Sequence, residues 1–147
     1  MTLQAHAISS SSFDSAPAAS PGKGRVWTGR VMSGLVIAFL TFDAVCKLIE
    51  LPVVLEASAK LGFGAASIFA IGLTLFVCTA LYAIPRTATL GAVLLTGYLG
   101  GAVCTHVRNF EGAFPIVFSL LFGVLVWVGL GLRDERVRAL IALPRAR

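Results

Sequence analysis

Charge is scarce in this sequence. Asp, Glu, Lys and Arg make up 13% of its 147 residues, about half the share in an ordinary soluble domain. A solvated surface cannot be built around the 57% that is hydrophobic. Histidine is scarcer still. His6 and His106 do not supply the several ligands at set spacing that a structural metal requires, so no metal is expected. None of the three cysteines, Cys46, Cys78 and Cys104, forms the Cys-x-x-Cys pair of a thiol oxidoreductase. They read as buried free thiols filling space. Also missing are a phosphate loop, a nucleotide fingerprint and a Ser/His/Asp set. No ligand set for haem, flavin or an iron–sulfur cluster is visible, which leaves no intrinsic cofactor. The net charge is +5, yet the basic residues do not interleave with aromatics as single-stranded nucleic-acid binding demands. Nucleic acid is therefore excluded as a partner.

What the chain has instead is long apolar runs. A hydrocarbon core about 30 Å thick needs roughly 20 apolar residues of helix to cross it. Four stretches reach that length: Val31 to Leu51, Ala65 to Ile84, Thr87 to Thr105 and Phe114 to Leu132. The fold class expected is all-α, an integral membrane four-helix up-down bundle in contact with the lipid bilayer. Lys23, Arg25 and Arg30 precede the first span, Arg86 lies between the second and third, and Arg133, Arg136, Arg138, Arg145 and Arg147 follow the fourth. Positive residues gather on the cytoplasmic side. Both termini are therefore expected inside, in a multi-pass protein of the inner (plasma) membrane. Residues 1–24, rich in Ser, Ala, Pro and Gly, read as a disordered cytoplasmic tail; 25–140 form the membrane domain and 141–147 a basic cytoplasmic tail. No apolar region follows a basic start as in a cleavable signal peptide.

Leu51-Pro52 ends the first span, because proline disfavours helix at the preceding residue but suits the first turn of a new helix. Pro52 to Leu61 reads as a short interfacial helix between spans 1 and 2, closed by Gly62, with Glu56 and Lys60 spaced i,i+4. The third span carries Gly97, Gly100 and Gly101, which helical spacing puts roughly on one face with Cys104 and Arg108. Such small residues let a neighbouring backbone approach, so they read as helix-packing positions within the chain or between copies of a homo-oligomer.

Asp43 and Lys47 are spaced i,i+4 on the first span. A charge at such depth costs about 2.5–3.5 kcal/mol on insertion scales and faces the bundle interior. Spans one and three run the same way. Asp43 and Lys47 therefore share an outer layer with His106 and Arg108, near Glu56, while Tyr98 offers a hydroxyl a little deeper. The expectation is an outer-leaflet polar pocket with apolar walls.

The runs FDAVCKLIELPVV, ALYAIPRTATLGAVLLTGYLGGAVCTHVR and VWVGLGLRDERVRAL resemble the DoxX-like family of small four-helix bacterial membrane proteins, over Val31 to Leu140. Asp43, Lys47, Glu56, Arg86, Tyr98, His106 and Arg108 match that family's polar pattern. The wider group is associated with membrane redox work, including a thiosulfate:quinone oxidoreductase subunit and oxidative-stress complexes. The resemblance thus implies a quinone-linked oxidoreductase subunit with a membrane or soluble redox partner and a bound quinone. Lys47, Tyr98, His106 and Arg108 would be its hydrogen-bond donors, and Asp43 or His106 its proton relay, since histidine titrates near neutral pH. Two other readings stay open. One is a non-catalytic binding or assembly protein that stabilises a partner complex. The other is a small-solute or proton pathway, which would have to continue through Ser67, Thr74 and Cys78.

Overall fold

A computed structural model describes residues 23–141 as six helices: α1 (Lys23–Leu48), α2 (Pro52–Lys60), α3 (Ala65–Ala83), α4 (Ala88–Arg108), α5 (Ala113–Arg133) and α6 (Glu135–Ile141). The tails expected over 1–24 and 141–147 lie outside the described residues, except that Lys23 and Gly24 belong to α1 and Ile141 to α6. Four helices, α1, α3, α4 and α5, are long and apolar enough to cross a bilayer. The first begins earlier than its apolar run suggests, at Lys23 rather than Val31; no proline between Lys23 and Arg30 stops the helix from extending toward the N-terminus.

Helix α1 packs on α3 and α5, and α4 packs on the same two. The four form a ring in which each helix is antiparallel to its neighbours, with α1 and α4 at opposite corners. Each contributes an apolar stripe to the centre: Val36, Leu40 and Ala44 from α1, Leu75, Cys78 and Tyr82 from α3, Ala92 and Leu95 from α4, Val126 and Leu130 from α5. The outward faces are equally apolar, with Leu35, Phe42, Leu73, Val93, Leu121 and Val124 exposed. That is the pattern of helices whose outer solvent is lipid, where close packing rather than hydrophobicity must hold the bundle together.

The close packing is concentrated at the end where α6 lies. A Cβ on Gly91 would sit on the Tyr82 backbone, 2.5 Å from its Cα, and one on Gly129 would lie 2.8 Å from the Ser33 hydroxyl. These glycines let α3, α4, α5 and α1 converge on Tyr82, which is fully buried. The Tyr82 hydroxyl donates to the Val126 carbonyl at 2.8 Å and meets Ser33 Oγ at 3.1 Å. Arg133 donates to the Tyr82 carbonyl at 3.0 Å, its guanidinium 4.8 Å from the ring centre. The Pro85-Arg86-Thr87 turn is fixed beside this knot by Thr87 Oγ1, which donates to the Leu81 carbonyl at 2.8 Å.

Helix α6 was not expected from the sequence, where Arg133-Asp134-Glu135-Arg136 reads as a charged stop. Asp134 breaks from helical geometry, and its side chain accepts the Arg136 amide at 2.9 Å. The chain then folds back to bury Val137 in the core, and Glu135 pairs with Arg25 at 3.8 Å.

The other end closes differently. Helices α1, α2 and α4 each finish on a residue of positive φ: Glu50 (52°), Gly62 (83°) and Phe110 (54°). In each case the next amide reaches back five residues, Leu51 to Cys46, Phe63 to Ser58 and Glu111 to His106. This is the Schellman closure that satisfies the last carbonyls of a helix. Only Gly62 adopts it without the Cβ penalty of about 1–2 kcal/mol.

Candidate functional site

Between the diagonal helices α1 and α4, at the α2 end, the ring is hollow. A cavity of about 650 Å³ lies there, within the roughly 300–1,000 Å³ typical of small-molecule sites. It exists because the ring keeps α1 and α4 apart while Gly97 and Gly101 project nothing into the gap. A Cβ on either would meet no atom within 4 Å.

Helix α1 sends Asp43 and Lys47 to the cavity wall. Lys47 Nζ donates to Asp43 Oδ1 at 2.5 Å, the two side chains 17% and 37% exposed. The pair is held by α3, where Gly72 lets the helices close: a Cβ there would lie 2.7 Å from Lys47 Cβ. Across the cavity, α4 contributes Tyr98, Thr105 and His106. His106 Nδ1 lies 2.6 Å from Glu111 Oε2, in the turn that the Phe110 closure creates, so the imidazole is braced at the rim.

Helix α2 forms the roof. Val53, Val54, Ala57 and Ser58 line the cavity, yet none of the helix's residues is buried. The remaining wall is aromatic: Phe39, Phe118 and Phe122 line it, with ring centres 4.6 to 5.6 Å apart. Toward the α6 end the space gives way to Leu75, Leu95 and Val126, all fully buried. The cavity therefore has a floor.

The structure brings together four of the six polar residues singled out in the sequence: Asp43, Lys47, Tyr98 and His106. Glu56 and Arg108 are exposed and do not line the cavity. Glu56 points off the outer side of α2, and Arg108 follows Val107 around the end of α4 away from the interior.

The glycines differ more from expectation. Among the described residues no atom lies within 4 Å of a Cβ added to Gly97, Gly100 or Gly101; the first and last open the cavity, while Gly100 lies on another face of α4. Close packing falls instead to Gly29, Gly72, Gly91 and Gly129. Cys46 and Cys78 are buried free thiols, but Cys104 is exposed. Thr74 and Ser67 are exposed as well, with only Cys78 buried on that face of α3, and Thr74 Oγ1 is held by the Ala70 carbonyl at 2.8 Å.

Sequence reasoning put the pocket beneath or beside the short helix but missed the aromatic wall. The spacing of Phe114, Phe118 and Phe122 at i,i+4 was the available signal for the wall. Among the described residues no group of three His, Cys, Asp or Glu side chains gathers. What the arrangement offers chemically is one ammonium, one carboxylate, one phenol and one imidazole around a largely apolar space, with Ser58, Thr105 and Ser119 also in its walls.

Residues 31–129 match the DoxX-like family, about two thirds of the chain. No curated protein and no solved structure matches it.

Proposed function

The chain belongs to the DoxX-like family of membrane proteins, and from that premise we propose that it binds an amphiphilic small molecule, with its polar head in the cavity beneath α2. The observation that carries this reading is the convergence of Asp43, Lys47, Tyr98 and His106 on one cavity whose other walls are mostly apolar. Four such groups around hydrocarbon are costly to keep unless they orient something.

A quinone is the ligand class that suits these walls. Its flat head fits against Phe39, Phe118 and Phe122, since aromatic rings favour offset or edge contacts at these separations. Its carbonyl oxygens are acceptors for the Lys47 ammonium and the Tyr98 hydroxyl. Reduction to the quinol takes up two electrons and two protons. Asp43 and His106 are the groups placed to hand over protons, His106 through Nε2 while Glu111 holds Nδ1. The electrons would come from a partner subunit, making this chain the quinone-linked membrane component of an oxidoreductase.

We further place the α2 end at the outer face of the plasma membrane and both termini in the cytoplasm. Arg25, Arg30, Arg86, Arg133, Arg136 and Arg138 all lie at the opposite end, as the positive-inside rule requires.

The experiment is mass spectrometry of the lipophilic extract of protein purified in mild detergent, beside Asp43→Asn and His106→Ala. A stoichiometric quinone in wild type that falls at least tenfold in both variants supports the reading. Bulk phospholipid alone in all three overturns it.

A second reading, a non-catalytic protein that stabilises a partner complex, is favoured by Phe110, which is 93% exposed in a strained backbone conformation beside the site. In that case deletion of the gene lowers another membrane protein's abundance, and Asp43→Asn restores it as well as wild type does. A transmembrane pathway gains no support, because Leu75, Leu95 and Val126 close the cavity below.

A further inference from the structure

A second hollow adjoins the first. Between α4 and α5 runs a groove of about 460 Å³, bounded by Gly100, Val103, Leu120, Gly123, Val124 and Val128 among others. Leu99 and Ser119 belong to the walls of both hollows. They are nearly buried, 8% and 7% exposed, and Leu99 Cδ1 lies over Gly123, 3.9 Å from where a Cβ would be.

The two hollows differ in chemistry. The cavity has a carboxylate, an ammonium, a phenol and an imidazole. The groove has only Thr96, Ser119 and Trp127 as polar residues, and two of these satisfy each other. The Trp127 indole N–H donates to Thr96 Oγ1 at 2.8 Å, and that hydroxyl donates to the Ala92 carbonyl at 2.8 Å. What the groove presents is hydrocarbon. It also runs deeper. From Ser119 at the junction to Val128 is nine residues of α5, about 14 Å at 1.5 Å per residue, directed away from the α2 end and past the middle of the bundle.

Polar head-space near one end, sharing the Leu99–Ser119 wall with an apolar groove that runs down the bundle, is the polarity of a membrane amphiphile in its own orientation. We infer that the α4–α5 groove holds the hydrocarbon tail of the molecule whose head occupies the cavity, with Leu99 and Ser119 as the junction through which the tail leaves the bundle. This rests on the ligand reading above and adds the route. The glycines fall into place on it. Gly97 and Gly101 clear the head-space, and Gly100, one residue round the helix, clears the tail-space. A tail gains little by moving from lipid into an apolar groove, so the groove acts as an exit. A long-tailed ligand can seat its head only if the exit is open.

The test uses that distinction. An added Cβ on Gly100 or Gly97 meets no atom within 4 Å, so Gly100→Phe starts its ring into the groove and Gly97→Phe into the cavity. Binding is read with methyl- and decyl-substituted 1,4-benzoquinone, by quenching of Trp127 in a Trp27→Phe background where it is the sole tryptophan. Partitioning into the micelle is common to all variants and cancels between them.

The result expected is that Gly100→Phe weakens the decyl probe at least tenfold and leaves the methyl probe within twofold, whereas Gly97→Phe abolishes both. An unchanged ratio of decyl to methyl affinity in Gly100→Phe, with wild-type binding intact, overturns the tail route and spares the head site. Loss of both probes in Gly100→Phe also overturns it, since the groove would then not be separable from the cavity. If neither probe binds wild type, the quinone reading itself fails and takes the route with it.

Discussion

Two glycine-to-alanine changes on α4, six residues apart, should move stability in opposite directions. At Gly91 the new Cβ falls on the Tyr82 backbone, 2.5 Å from its Cα and 2.8 Å from the Leu81 carbonyl carbon. Those are main-chain atoms of the helix just across a tight turn, so no rotamer change relieves the contact. Overpacking costs about 1–3 kcal/mol, and a backbone obstacle puts this case at the upper end. Alanine recovers roughly 0.8–1.0 kcal/mol of helix propensity, leaving a net loss near 2 kcal/mol. At Gly97 the new methyl meets nothing within 4 Å, so only the propensity gain of about 0.8–1.0 kcal/mol remains. The two variants should therefore differ by about 3 kcal/mol, Gly97→Ala being the more stable. The assay is reversible unfolding in mixed micelles, followed by far-UV circular dichroism, with Gly101→Ala as a second tolerant control. Equal destabilisation at Gly91 and Gly97 would refute the reasoning. It would mean that the Gly97–Gly101 face does not border open space.

Removing the Tyr82 hydroxyl with Tyr82→Phe takes away a bond to Val126 and leaves Ser33 without its partner. A loss of about 1–3 kcal/mol follows for an orphaned buried group, measured by the same unfolding assay, and Ser33→Ala should reduce the penalty. Glu50→Gly relieves a left-handed conformation and should stabilise by about 1–2 kcal/mol; a decrease in midpoint would show that the Glu50 carboxylate has a role in the fold. N-ethylmaleimide should modify Cys104 well before Cys46 and Cys78, as followed by intact-mass spectrometry, and similar rates at all three would contradict the burial described. A double-mutant cycle with Asp43→Asn and Lys47→Gln should return a coupling of about 0.2–1 kcal/mol. Such a value leaves Lys47 free to exchange its partner for a ligand, and a much larger one would mark the pair as purely structural.

The bundle and its short helix were legible because their signals are local. Apolar run length marks the four spans, and Pro52 and Gly62 bracket α2. The spacing of Asp43 and Lys47 announces one face, and the shared direction of α1 and α4 brings Tyr98 and His106 to the same depth. Packing partners were not legible. A glycine face at i,i+4 spacing announces that side chains are absent, but not whether a helix or a space fills the gap, and the diagonal placement of α4 against α1 made it a space. The Tyr82 knot joins residues 49 and 51 positions apart, with no periodicity to betray it. Helix α6 escaped notice because its charges hide one buried residue, Val137. Glu56 and Arg108 have the right depth but the wrong azimuth, which depth arguments alone do not resolve.

The contrast between the two ends bears on motion. Near Tyr82, four helices are locked by main-chain contact through glycine and by hydrogen bonds to buried carbonyls, so separating them exposes unpaired polar groups to hydrocarbon. No side chain of α2 itself is buried, so lifting that segment breaks little. Opening free energies are thus graded along the bundle axis, as in a peg whose spring lies at one end and whose jaws lie at the other. The jaws can part often enough to exchange what lies between them while the spring keeps its register, and amide exchange should be fastest in α2 and slowest in the turns flanking Tyr82.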